Sequence, residues 1–100
     1  MQDDASVPNS QNPQWRPRAE WDLIAIVDYI AADNPDAAEA LKEQIIRKAN
    51  LLPANPRAYR GGRVTGTREM VVTPNYLIVY TEMRGSITIL RVLHAAQRWP

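Results

Sequence analysis

The hydrophobic period of this chain changes once, near Pro53, and that change restricts its fold more than any other feature. Before it, apolar residues recur every three or four positions. Ala19, Leu23, Ile26, Val27 and Ile30 fall on one helical face. Pro17 suits a first helical turn, where a missing N–H costs nothing. The spacing therefore predicts a helix over about residues 17–32. Asp33-Asn34-Pro35 stops it and starts another, with Asp33 or Asn34 as cap and Pro35 in the first position. Ala38, Leu41, Ile45, Ala49 and Leu52 form the second stripe, and Pro53 ends it. So short a joint predicts an antiparallel helical hairpin.

After Pro53 the signals are those of turns and strands. Residues 53–66 read as a loop punctuated by Pro53, Pro56, Gly61, Gly62 and Gly66, and carrying Arg57, Arg60 and Arg63. The glycines lack the spacing of a phosphate cradle. Strands are predicted over 68–73, 76–82 and 87–93, joined by turns at Thr73–Tyr76 and Met83–Ser86. Loops this short imply an antiparallel meander. The expected fold is α+β: an N-terminal helical hairpin packed on a small three-stranded antiparallel sheet.

One hundred residues make one small domain, and 45% hydrophobic with 23% charged residues is the mix of a folded chain. Without cysteine there is no disulfide, zinc ribbon or thiol nucleophile. A single histidine, His94, argues against a His-based metal site, and no metal or cofactor is expected. No apolar run reaches the ~18 residues of a bilayer span. The polar start, Met1-Gln2-Asp3-Asp4, is no secretory signal, so a cytoplasmic protein is expected. Residues 1–14 are polar, contain Pro8 and Pro13, and read as a flexible leader ahead of a single domain at 15–100. Trp15 and Trp21, beside the first helix, are assigned to packing.

The net charge of +1 hides an asymmetry. Residues 1–46 hold nine acids against three bases, net −6; residues 47–100 hold nine bases against two acids, net +7. Ten of the twelve bases are arginine, whose planar fork grips phosphate or carboxylate at two points. The basic half suits a nucleic acid or an acidic protein. It equally suits internal pairing with the acidic half.

Strand alternation puts Ile87, Ile89, Arg91 and Leu93 on one face, and Thr88, Leu90, Val92 and His94 on the other. Arg68 shares a face with Met70, opposite Glu69. Arg60, Arg63, Arg68 and Arg91 are candidates to converge on one surface. RNA cleavage through the ribose 2′-hydroxyl needs a base, an acid and cations around the phosphorus. His94 and Glu69 are candidates for proton transfer. A charge inside an apolar strand needs an exposed face or a partner, so Arg91 binds phosphate or pairs with Glu69 or Glu82. Tyr76, Tyr80 and Trp99 are candidates for base stacking, or plain core and rim aromatics.

The ordered segments Trp15-Arg-Pro-Arg-Ala19, Asp22-Leu23, Tyr29-Ile30, Asn34-Pro35, Gly62-Arg63 to Gly66-Thr67-Arg68-Glu69, Asn75-Tyr76, Ile89 to His94, and Gln97-Arg98-Trp99-Pro100 carry a resemblance. Over residues 15–100 the chain resembles the RelE/ParE superfamily of type II toxin–antitoxin toxins, in its RelE/StbE-like addiction-module branch. The resemblance implies a growth-inhibiting toxin held inactive by a cognate antitoxin. RelE-like members cut mRNA on the ribosome without a metal, while ParE-like members poison DNA gyrase.

Carried over by position, Arg63, Arg68 and Arg91 match basic positions on the family's sheet and the loop before it, and His94 sits near where some ribonuclease members place a C-terminal catalytic residue. With Glu69 as the second candidate base, Arg68, Arg91, His94 and Glu69 are the candidate catalytic group. Arg57, Arg60, Arg63 and Tyr76 are the candidate RNA or partner contacts. The chain departs from the pattern in two places. It lacks the C-terminal tyrosine of several ribonuclease members. It also has the polar run Asn9–Gln14 where the family's first strand belongs, so that strand is expected to be weak or absent. Ribosome-dependent mRNA cleavage leads the expectations. Gyrase poisoning is the alternative, and an inert remnant the third reading.

Overall fold

The computed structural model describes residues 12–100. Strand β1 (Gln14–Trp15) leads into helices α1 (Pro17–Ala31) and α2 (Pro35–Ala49) and a short 3-10 turn (Leu52–Ala54). Strands β2 (Arg60–Gly61), β3 (Arg68–Thr73), β4 (Tyr76–Met83) and β5 (Ser86–His94) follow. The sheet order is β1-β5-β4-β3-β2. The α+β class and the helical hairpin are as the sequence predicts.

The strand count is not. Five strands form a mixed sheet in place of three antiparallel ones. Both additions are two residues long, too short to show an alternation. β2 pairs antiparallel with β3, and β1 runs parallel to β5. The first strand is thus present, with Gln14 opposite Thr88 and Trp15 opposite Ile89. Arg16 N–H donates to Ile89 C=O at 3.0 Å and extends the pairing. Trp15 supplies an apolar anchor against the core that the polar run before it does not. Asn9, Ser10 and Gln11, with the rest of residues 1–11, lie outside the described residues.

Local chemistry accounts for the helix ends. Pro17 and Pro35 stand in the first turns of α1 and α2, and Asn34 Oδ1 accepts from Ala37 N–H at 3.1 Å. The β4–β5 turn has two central residues at positive φ, Arg84 (55°) and Gly85 (82°). That is the backbone of a tight hairpin whose twist matches its strands.

One sheet face packs on the helices. Ala19, Ile45, Ala49 and Leu52 meet Met70, Val72, Ile78, Tyr80, Ile87, Ile89 and Val92. The other face carries a smaller cluster of Leu77, Val79 and Leu93, flanked by Leu90 and Trp99. A bulge decides which β5 residues go where. Val79 pairs with Arg91 but Tyr80 pairs with Ile89, which leaves Leu90 as an extra residue. Strict alternation therefore fails. Val92 joins Ile87 and Ile89 in the main core, while Leu90, Arg91 and Leu93 serve the outer face. Trp21 also departs from expectation: it is 69% exposed and packs on neither cluster. Tyr80 is core, and its hydroxyl donates to Pro56 C=O at 2.7 Å. Among the described residues no helix is long and apolar enough to cross a membrane.

Candidate functional site

The arginines fall into separate settings, and the sheet divides them. Arg91 lies on the outer face, opposite Val79, and its side chain reaches the β5 edge. There α1 presents Asp22. Arg91 Nε donates to Asp22 Oδ2 at 2.7 Å and Nη2 donates to Oδ1 at 3.1 Å. Val92 N–H donates to the same Oδ2 at 3.0 Å. One carboxylate thus satisfies a fork and a strand-edge donor beyond the reach of β1. The two side chains are 12% and 11% exposed. The Arg91 guanidinium also lies 5.6 Å from the Trp99 ring centroid, at cation–π distance. The partner of Arg91 is therefore Asp22, not Glu69 or Glu82. Sixty-nine residues separate the pair in sequence, so no local pattern signals it.

Glu69 is 3% exposed and also lies on the outer face, opposite Val79. Its Oε1 accepts from Arg60 Nη2 at 2.9 Å. Its Oε2 accepts from Arg63 N–H at 3.2 Å and lies 3.3 Å from Arg63 Nε. Arg63 Nη1 donates to Gln97 C=O at 2.9 Å and ties the C-terminal segment to the loop. Arg60, Arg63, Glu69 and Arg91 thus belong to one face, with Trp99 and Gln97 lying across it. The burial of Glu69 requires this pairing, because an unpaired carboxylate there would be costly.

Arg68 is on the helix side, opposite Tyr80, and its Nη1 donates to Tyr59 C=O at 2.7 Å. The four arginines therefore do not converge, since the sheet stands between Arg68 and the other three. Arg57 Nη2 lies 3.4 Å from Glu82 Oε1. Burial pushes the Tyr80 hydroxyl pKa above 10.0, while the nearby Arg68 pulls it down.

His94 closes β5 opposite Tyr76, and the rings meet edge-on with centroids 5.4 Å apart. Its Nδ1 accepts from Ala96 N–H at 3.1 Å, so the free nitrogen is Nε2. Four β4 positions separate the partners of His94 and Arg68, a distance of about 13 Å along the strand. Tyr76 and His94 are thus brought together, but far from Arg68. Among the described residues no group of three His, Asp or Glu side chains is placed to hold a metal.

Sequence reasoning overlooked Asp22 and Gln97. Asp22 reads as an ordinary first-half acid in a helix. Its one local signal is its side of the stripe: it lies next to Ile26, on the flank that meets β5.

The geometry has counterparts among known proteins. The pattern of the family described as ParE toxin of type II toxin-antitoxin system, parDE, matches residues 14–99. The chain is 36% identical over 87 residues to the putative toxin Y4kP of Sinorhizobium fredii, covering 87% of this chain and 91% of that one. It is 40% identical over 84 residues to toxin RelE2 of Caulobacter vibrioides, covering 83% and 93%. Its fold is similar to that of a chain of the chromosomal ParDE toxin–antitoxin system of P. aeruginosa, with TM-score 0.75 at 24% identity, covering 87% and 98%. The protein HP0894 of Helicobacter pylori has a more distant likeness, with TM-score 0.56 at 15% identity, covering 86% and 96%. The chain belongs to the ParE toxin family of type II toxin–antitoxin systems, within the RelE/ParE superfamily, and an antitoxin is its implied partner.

Proposed function

We propose that this toxin inhibits growth by binding a protein target, DNA gyrase, rather than by cutting RNA. The observation that carries this reading is the dispersal of the candidate catalytic groups. Phosphoryl transfer at a ribose needs its base, acid and cations around one phosphorus, with hydrogen-bonding capacity to spare. Here His94 and Arg68 lie about 13 Å apart along β4. The charges of Arg91 and Glu69 are already taken by Asp22 and by Arg60 and Arg63. Arg57 and Arg60 keep most of their side chains in solvent despite their carboxylate partners. Such arginines suit a protein contact, where a fork can hold one carboxylate and stack on an apolar neighbour. The same basic surface suits an acidic antitoxin, which would cover it by a helix or an added strand.

A second reading rests on the 40% identical relative, which is called RelE2. In it the toxin cleaves ribosome-bound mRNA, with Arg63, Arg68 and Arg91 on phosphate, and His94 and Glu69 in proton transfer. Brief induced expression in a bacterial host separates the two. Gyrase binding predicts growth arrest, intact reporter mRNA by primer extension, and undiminished arrest by His94→Ala. Purified toxin should then block DNA supercoiling by gyrase. New 5′ ends at fixed codon positions, lost in His94→Ala, would overturn the proposal in favour of mRNA cleavage. Normal growth with intact mRNA would mark an inert remnant.

A further inference from the structure

The solvent side of α1 is built like one half of a helix pair. Arg18, Trp21, Ala25, Tyr29 and Ala32 recur at three- and four-residue intervals and are all exposed. Trp21 is 69% and Tyr29 81% exposed, a large aromatic area to leave in water. Arg18, Trp21, Asp22 and Ala25 line a depression on this face. Their spacing, i, i+3, i+4 and i+7, is that of the four residues that form a hole for one side chain of a facing helix.

We infer that this face pairs with the same face of a second copy of the chain. A two-fold axis beside Ala25 sets two α1 helices antiparallel. Ala25 then meets Ala25, small enough for close approach of the backbones. Trp21 and Tyr29 each stand four residues, about 6 Å, from that centre. Tyr29 of each copy therefore arrives level with Trp21 of the other and enters its Arg18–Trp21–Asp22–Ala25 depression. The charges match as well. Arg18 sits in the first turn of α1, its side chain 68% exposed, with one 3.5 Å contact to the Asp22 carboxylate that Arg91 already holds. Under the same axis it faces the far end of the other α1. That end has no basic residue in its last turn and leads into Asp33. A guanidinium there meets both the negative end of the helix dipole and a carboxylate. The apolar trough of Trp15, Leu23, Ile24 and Ile46 lies on another flank of α1 and stays open.

A contact of one helix per copy is at the small end of specific interfaces, so the dimer should be weak, with Kd on the order of 50 µM. Sedimentation equilibrium of the full chain, from micromolar to several hundred micromolar, should show monomer passing to dimer. Tyr29→Ala should raise Kd at least ~10-fold, and Tyr29→Phe should keep the dimer, since the ring fills the hole. An unchanged melting temperature in both variants shows that the fold is kept. The chain has no cysteine, so Ala25→Cys provides a single probe. Mild oxidation should link it into dimers far faster than Ala40→Cys, on the exposed side of α2. A monomer at every concentration overturns the inference. So does a dimer indifferent to Tyr29→Ala, or an Ala25→Cys that links no faster than the control. Burial of Trp21 only when antitoxin is present would assign the face to the antitoxin instead.

Discussion

Asp22 should be the most costly acidic residue to remove. Its carboxylate receives two charge-assisted bonds from Arg91 and one from the Val92 amide, all at 2.7–3.1 Å. Asp22→Ala leaves a guanidinium and a strand-edge N–H without acceptors. Breaking a fully buried pair costs ~3–5 kcal/mol. Here both side chains keep about a tenth of their surface in water, and Arg91 retains Trp99. The lower end applies, ~3 kcal/mol. Asp22→Asn keeps one oxygen for the Val92 amide and should cost about half as much, ~1.5 kcal/mol.

Urea unfolding followed by tryptophan fluorescence reads this directly. At a slope of ~1.5 kcal/mol/M, Asp22→Ala lowers the midpoint by ~2 M. Hydrogen exchange at Val92 should accelerate in the alanine variant and stay slow in the asparagine one. Replacing both partners, Asp22→Ala with Arg91→Met, should be less destabilising than the sum of the single changes, because no buried charge is left alone. An Asp22→Ala within ~0.5 kcal/mol of the parent would refute the strut. Strict additivity in the double variant would refute the coupling.

Glu69→Gln keeps the shape but removes the charge shared by Arg60 and Arg63, and should cost ~1–2 kcal/mol in a thermal melt. No change would mean that water serves those arginines equally well. Gly62 donates to Thr67 C=O at 2.7 Å, and a Cβ there would collide with the Thr67 hydroxyl. Gly62→Ala should therefore lose ~1–3 kcal/mol by chemical denaturation, whereas Gly61→Ala, with open space around it, should change much less. Burial raises the Tyr80 pKa above 10.0, so the unfolded phenol ionises first. This contribution is intact below about pH 10 and is lost as pH climbs toward the raised native value. Tyr80→Phe should flatten that alkaline decline while costing ~1 kcal/mol at neutral pH for the Pro56 bond, as pH-dependent melts would show.

The helices were legible because their signals are local. The stripes and the Pro17 and Pro35 starts all lie within a few turns of the residues they govern. The meander was legible for the same reason, since Pro74-Asn75 and Arg84-Gly85 mark its turns. β1 and β2 were not legible, because two residues cannot carry a period and their pairing is decided by partners far along the chain. The β5 bulge at Leu90 was hidden as well. Ile87 to Leu93 alternates plausibly in either register, and the bulge follows from Val92 filling the main core while Arg91 reaches the strand edge. Every candidate site residue was visible as a residue type. What was hidden was its setting, because Asp22 lies 69 positions from Arg91, Gln97 34 from Arg63 and Tyr59 9 from Arg68, and Trp99 reaches Arg91 from beyond the end of β5.

The charge asymmetry of the two halves takes on a different meaning in the folded chain. Read along the sequence, a basic second half points to phosphate. In the fold, Asp22 from the acidic half holds Arg91, while Glu69 and Glu82, the two acids of the basic half, hold Arg57, Arg60 and Arg63. These contacts differ in kind. Arg91 and Asp22 are nearly dry, so their fork geometry fixes the α1–β5 edge. Arg57 is mostly wet, and its contact with Glu82 is of the surface sort that adds at most ~1 kcal/mol, whereas Arg60, though mostly wet itself, serves the buried Glu69 together with Arg63. A partner carrying its own carboxylates can therefore take over Arg57 at little cost, and Arg60 as long as Arg63 stays on Glu69, but not Arg91. The recognition surface of this toxin should then follow the loop from Arg57 to Arg63 rather than the strand that carries Arg91.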